Sequence, residues 1–194
     1  MSDEVRQKWD AIYGDAGGAG KPSHAARVLA ENDHLLPVRG RALEVACGRG
    51  GNALLLARSG LETHAWDISA VAVESLQAEA SRQALVIHGE ARDIMQQPPA
   101  PASFDVIVVS HFLERGLIPL LQQGLRPDGL LFYQTFTRTR VSDNGPSNPE
   151  FRLADNELLG LCADMQVLVY REEGRVGDIE RGFRDLALIV ARRI

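Results

Sequence analysis

Apolar positions along the chain fall into short runs, separated by amphipathic stretches and by clusters of glycine, proline and charge. Residues 3–13 place Val5, Trp9 and Ile12 or Tyr13 on one face at three- to four-residue spacing, which predicts a helix packed on the body or closing over a ligand. Residues 14–23 are glycine-rich and predict a loop. Residues 24–36 predict a second helix, capped by Ser23 and ended by Pro37. Residues 42–46, apolar but for Glu44, predict a buried strand; glycines at 48, 50 and 51 then predict a turn, and residues 53–58 a helix stopped at Gly60. Strand and helix go on alternating: a strand at 62–68, a helix from the Ser69 cap to Arg82, and strands at 84–90 and 104–111. The last of these is nearly all apolar and should be buried on both faces. Residues 114–124 predict a helix kinked by Pro119, residues 126–129 a tight turn, and residues 129–136 a fifth strand. A polar connection of unusual length, 137–153, points to function. After a helix at 155–162, strands at 165–173 and 183–192 predict an antiparallel pair.

A buried strand, a glycine turn and a helix form the opening unit of a nucleotide-binding α/β sheet. Glycine lets the backbone take φ > 0 and approach a ligand closely, and the helix N-terminus offers free N–H groups. Two ligand classes use this unit. A dinucleotide site reads G-x-G-x-x-G, which Ala46-x-Gly48-x-x-Gly51 matches loosely. An S-adenosylmethionine (SAM) site reads acidic-x-G-x-G-x-G, which Glu44-x-Ala46-x-Gly48-x-Gly50 matches with alanine at the first glycine. The loop alone is open to both. Asp67 stands at the end of the second strand, about 20 residues on, where a carboxylate can accept both ribose hydroxyls of an adenosine. Arg92 and Asp93 follow the third strand, at a carboxyl end where ligands of open α/β sheets collect.

Composition narrows the picture further. The chain has 194 residues, 45% hydrophobic and 24% charged, which suits one soluble domain, 1–194, with residues 1–36 as a helical cap segment inside it. A net charge of −5 argues against sequence-independent nucleic-acid binding. The charged N-terminus carries no apolar signal core and no run approaches membrane-spanning length, so a cytoplasmic location without membrane contact is expected. Two cysteines suggest no disulfide scaffold, and Cys47 is read more readily as a small buried filler than as a nucleophile. His24, His34, His64 and His88 lack ligand-spaced neighbours, so no metal is expected.

The residues 43–52, Trp66-Asp67-Ile68-Ser69, Arg92-Asp93, 104–108 and 125–130 together resemble a class I SAM-dependent methyltransferase over nearly the whole chain. Trp9-Asp-x-x-Tyr13, residues 132–137 and residues 145–153 look like the tellurite-resistance-type branch, broadly similar to thiopurine methyltransferases. The resemblance implies a Rossmann-like α/β/α sandwich with a seven-stranded, mostly parallel sheet and an antiparallel C-terminal strand. It implies SAM as cofactor, S-adenosylhomocysteine as product, and a small-molecule acceptor such as a thiol, a metalloid oxyanion or another polar metabolite. By position, Gly48 and Gly50, with Ala46, Cys47 and Asn52 around them, would lie along the methionine part. Glu44 would anchor the methionine end or order the loop. Asp67 would hold the ribose, Ile68 would pack the adenine, and Asp93, with Arg92 beside it, would accept from the adenine amino group. Trp9 and Tyr13 would cover the cofactor, and Ser110 and His111 would line the methyl-transfer side, His111 as first candidate for a general base. Arg115, Tyr133, Arg138 and Arg140 would orient an anionic or small polar acceptor. Alanine at 46 is expected to be tolerated with a negative φ. A non-catalytic SAM-binding protein and an NAD-dependent oxidoreductase are the alternatives.

Overall fold

The computed structural model describes residues 2–14 and 24–194. The predicted glycine-rich loop beyond Gly14 and the predicted Ser23 cap lie outside the described residues. The strands are β1 (Arg41–Val45), β2 (Glu62–Asp67), β3 (Ile87–Ala91), β4 (Phe104–Ser110), β5 (Leu125–Phe136), β6 (Met165–Glu172) and β7 (Leu186–Arg193). The helices are α1 (Ser2–Gly14), α2 (Arg27–Ala30), α3 (Gly51–Arg58), α4 (Ala70–Arg82), α5 (Ile118–Gly124) and α6 (Glu157–Leu161). One seven-stranded sheet runs in the order β3-β2-β1-β4-β5-β7-β6. Its first five strands are mutually parallel, and β7 is antiparallel to both β5 and β6.

Alternation along the central strands supplies two apolar layers. Leu43, Val45, Ile107, Val109, Leu131 and Tyr133 face one side with Leu117, Leu121 and Leu158. Ala42, Val106, Val108, Leu130 and Phe132 face the other with Val28, Leu29 and Leu56. Both layers are buried, and several of the polar groups that remain inside, Glu44, Asp67 and Gln134 among them, lie toward the carboxyl ends of the parallel strands.

Four expectations change in detail. The helix predicted over 24–36 shrinks to the single turn of α2, followed by a 3₁₀ turn over Asp33–Leu35. Its start is fixed from the sheet: Asn52 Oδ1 accepts the Ala26 N–H at 2.8 Å, and Gln134 Oε1 accepts the Val28 N–H at 3.0 Å. The Asn32 side chain then bonds back to the Val28 carbonyl and helps end the turn. Pro119 does not kink a long helix; it sits in the first turn of α5, where no intrahelical N–H is needed, after a 3₁₀ turn over Arg115–Leu117. The turn at 126–129 lies within β5 as an irregularity, Asp128 taking φ +63°. The apolar stripe of α1 is engaged only at Tyr13: Val5, Trp9 and Ile12 stay 38–46% exposed, and the helix docks through Tyr13 and Asp10.

Candidate cofactor and acceptor site

The loop after β1 turns sharply. Ala46 takes φ +51°, so the expected negative φ is wrong; reversing the chain at the strand end requires the left-handed region despite the alanine methyl. Gly48 and Gly50 follow with φ +49° and +74°. The Gly50 N–H closes onto the Cys47 carbonyl at 2.7 Å. The two glycines serve different ends. A Cβ on Gly50 would run into the Leu76 methyls of α4, so this glycine allows the loop to pack on its neighbour. A Cβ on Gly48 would meet the Tyr13 hydroxyl at 2.6 Å, so its open face points toward α1.

Asp67 is the hinge of this arrangement. Its Oδ2 accepts the Gly48 N–H at 2.8 Å and its Oδ1 the Ser69 N–H at 2.9 Å. Burial raises its pKa, and the N–H groups of Ser69, Gly48 and Ile68 pull it back. Each oxygen keeps a lone pair for a further donor. Ser69 caps α4 through Ala72 N–H and donates to Asp10 Oδ1 at 2.6 Å, which ties α1 to the same corner. Beyond it lies a cleft lined by Asp3 and Arg6 of α1 and by Ile68, Ala70, Ala91, Arg92, Asp93 and Gln96. The Arg92 guanidinium lies 3.9 Å over the Trp66 ring and donates to Glu90, leaving its aliphatic stem along the cleft. Asp93 accepts from Met95 N–H and Gln96 Nε2, capping the turn that follows β3. Together these place a carboxylate beside a glycine that the Tyr13 hydroxyl covers, next to the cleft that Asp93 lines.

Glu44 and Asn52 lie beneath the loop. Glu44 is buried, with Oε2 accepting the Ala53 N–H and Oε1 accepting Asn52 Nδ2, both at 2.7 Å. Burial pushes its carboxyl up to about 8 against these two donors. Asn52 Nδ2 also reaches Ser110 Oγ at 3.0 Å, so one amide links β1, α3, β4 and the approach to α2. Of the two roles considered for Glu44, ordering the loop is the one these bonds perform. Burial raises the Cys47 thiol well above its usual range, which keeps it protonated. Tyr13 is raised likewise by burial, then by Asp67, and remains a phenol; it stacks on Trp9 at 5.7 Å between centroids.

The acceptor side opens at the end of β4. His111 takes φ +56°, its N–H donates to the Gln134 carbonyl at 2.9 Å, and its ring packs on Phe136 at 5.2 Å. The residue is exposed overall, but the inner edge of the ring lies against β5, and this desolvation lowers its pKa. Two predicted acceptor contacts are engaged elsewhere. Arg115 donates twice to Glu157 and to the carbonyls of Glu150 and Arg152. The buried Tyr133 donates to the Phe112 carbonyl. Arg138 and Arg140 pair loosely with carboxylates, at 3.8 Å with Glu150 and 3.6 Å with Asp143, and Arg138 Nε also donates to the Pro149 carbonyl at 3.2 Å. The connection 137–153 is held from inside by Arg152, which is buried and donates to the carbonyls of Thr137, Asn144 and Pro146 over the Phe136 ring. Asp185 accepts from Val141 and Ser142 at its other side. Sequence reasoning did not single out Gln134, Asp10, Arg152 or Asp185 as site-shaping residues. Gln134 left a signal: with Thr135 it is a polar residue following the apolar run Leu130-Leu131-Phe132 of the same strand.

Residues 42–129 match the family model described as "Methyltransferase domain". The matched stretch runs from β1 into β5 and holds the glycine loop, Asp67 and Arg92-Asp93; with the strand order above it supports a SAM-dependent methyltransferase, with S-adenosylmethionine as cofactor. It is 30% identical to Hemagglutinin 1 of Eikenella corrodens over 141 residues, 68% of this chain and 46% of that protein. It is 28% identical to the ubiquinone biosynthesis O-methyltransferase of Actinobacillus pleuropneumoniae serotype 5b (strain L20) over 147 residues, 69% of this chain and 63% of that one. The chain thus spans about half to two thirds of the length of these curated relatives. Its fold is similar to that of TehB from Haemophilus influenzae, with a TM-score of 0.70 at 20% identity over 96% of this chain and 67% of that one. It is similar, too, to geranyl diphosphate C-methyltransferase from Streptomyces coelicolor A3(2), in complex with Mg2+, geranyl diphosphate and S-adenosyl-L-homocysteine: TM-score 0.71, 14% identity, 100% of this chain and 97% of that one. Among the described residues no helix is long and apolar enough to cross a membrane.

Proposed function

We propose that this protein transfers the methyl group of SAM to a small-molecule acceptor that enters between the end of β4 and the 137–153 connection. The observation that carries the reading is the Asp67 carboxylate, bonded to Gly48 and Ser69 and standing between the open face of the glycine loop and the Ile68–Asp93 cleft. When bound, the cofactor supplies a sulfonium methyl that is already electrophilic, so alignment and exclusion of water are what remain for the protein. Asp67 holds the ribose, Ile68 packs the adenine, Asp93 accepts from its amino group, and the loop at Ala46–Gly48 receives the methionine part. Tyr13 and Trp9 yield the face of Gly48 to the ligand and close over it. Ser110 and His111 border the acceptor.

A thiol, a metalloid oxyanion or another small polar metabolite suits this site, with Arg138 and Arg140 free enough to meet an anion. The resemblance of Trp9-Asp-x-x-Tyr13 and residues 145–153 to the tellurite-resistance-type branch supports this acceptor class. A dinucleotide-dependent reaction fits less well: β7 enters antiparallel beside β5, and Glu44 is buried beneath the loop. Isothermal titration with SAM, S-adenosylhomocysteine and NAD⁺ tests the reading. The expected outcome is micromolar binding of both adenosyl ligands, none of NAD⁺, and a loss of tenfold or more in Asp67→Ala, the size of one to two charge-assisted hydrogen bonds. NAD⁺ binding without an adenosyl response would overturn it. Binding of the adenosyl ligands without methylation of any thiol, metalloid or metabolite would leave a SAM-binding protein with no transfer activity.

A further inference from the structure

Gln134 is buried in β5 beside His111 and touches it twice. Its carbonyl accepts the His111 N–H at 2.9 Å, and its side-chain Nε2 lies 3.4 Å from His111 Nε2. The orientation of its amide is fixed from the other side. Oε1 accepts the Val28 N–H at 3.0 Å, and a backbone N–H can only donate, so the NH₂ end faces the histidine. That end can only donate as well. His111 Nε2 therefore presents its lone pair, and the proton of the neutral ring resides on Nδ1. A proton on Nε2 would set two donors against each other. The other element packed on the ring is the Phe136 side chain, which is apolar. Desolvation is the cause of the lowered His111 pKa, with no charged group contributing among the described residues.

We propose that Gln134 is a positioning residue for the acceptor side: it holds His111 neutral with the proton on Nδ1, so that the ring meets the acceptor as a hydrogen-bond donor and not as a proton-removing base. The proposal rests on the methyl-transfer reading only in taking His111 to face the acceptor. It also selects a class of acceptor. A nucleophile that arrives with its lone pair free, such as a thiolate or another soft anion, is oriented by a donor and needs no base. An alcohol or amine that must lose a proton on attack is not served by this histidine.

The test is a long-range ¹H–¹⁵N correlation of the ring nitrogens in the ¹⁵N-labelled full chain without cofactor, His111 being assigned against His111→Gln. The expected spectrum shows an Nδ1-protonated ring that titrates below the ordinary histidine value. In Gln134→Glu the carboxylate accepts from the ring, so the proton moves to Nε2 and the titration shifts upward by about one unit or more. A wild-type ring protonated on Nε2, or titrating as a free histidine with the usual tautomer mixture, would overturn the proposal. So would a folded Gln134→Glu protein with an unchanged ring. The wild-type spectrum needs no variant, so misfolding of Gln134→Glu leaves the test intact. Since neither cofactor nor acceptor is present, an Nδ1-protonated ring in a protein that methylates nothing would remove the functional reading and leave the positioning role standing.

Discussion

Ala46 and Glu44 show how single side chains set the loop. Ala46 holds φ +51° at a cost of about 1–2 kcal/mol relative to glycine, offset in part because glycine would add freedom to the unfolded chain. Ala46→Gly should therefore raise stability by about 0.5–1 kcal/mol, read as a shift of the urea midpoint at constant slope. Glu44 gives a pH dependence of definite sign. Its proton stays on to about pH 8 in the folded state and leaves near 4.5 in the unfolded one, so between these values the folded protein binds more protons. Stability is then lost as pH rises through that window. Relative to Glu44→Gln, the wild type should lose on the order of 2–4 kcal/mol between pH 5 and pH 8, measured by denaturant melts of both proteins at each pH. A constant difference between the two would remove this account of Glu44. At this scale the motif residues could be placed from sequence. What the sequence left open was direction: spacing could put Gly48 and Gly50 in one loop, but only the positions of Leu76 and Tyr13 show that one glycine packs and the other faces the site.

Elements were legible where periodicity is local. The Ser69 cap, the apolar β4 and the antiparallel ending all follow from neighbours in sequence. The short α2 does not, because its start is fixed by Asn52 and Gln134, 26 and 106 residues away. For α1, the stripe suggested packing on the body or closure over a ligand; the helix finds its partners through Tyr13 of that stripe at Gly48 and through Asp10 at Ser69. If α1 covers the cofactor, removing residues 1–13 should weaken SAM binding by about tenfold or more, about 1.4 kcal/mol, in the same titration. Unchanged affinity and turnover would end the covering role. The 137–153 connection depends on Arg115 in a different way. Its fork joins Glu157 to the carbonyls of Glu150 and Arg152, so Arg115→Ala leaves several acceptors unpaired at once. A loss of about 1–3 kcal/mol is expected, with faster tryptic cleavage at Arg138 and Arg140 as the local readout. Cleavage unchanged in rate would show that the connection is held without this residue.

Across the molecule, the sheet grades from centre to edge. β1, β4 and β5 are buried on both faces, whereas β3 and β6 are edge strands with exposed residues along them. Amide exchange should follow that order: the β4 and β5 amides should open only with global unfolding, and those of β3 and β6 well before. Strand order itself was legible only through resemblance, since hydrophobic patterning names the strands but not their sequence across the sheet. The pairing of Trp9 with Tyr13 over Gly48 has an optical consequence. The chain holds two tryptophans, Trp66 in the core beneath Arg92 and Trp9 at the surface. Emission should therefore divide into a blue component from the interior and a red one from α1. A ligand seated on the glycine loop would shift the red component, which makes Trp9 a native fluorophore for following the site.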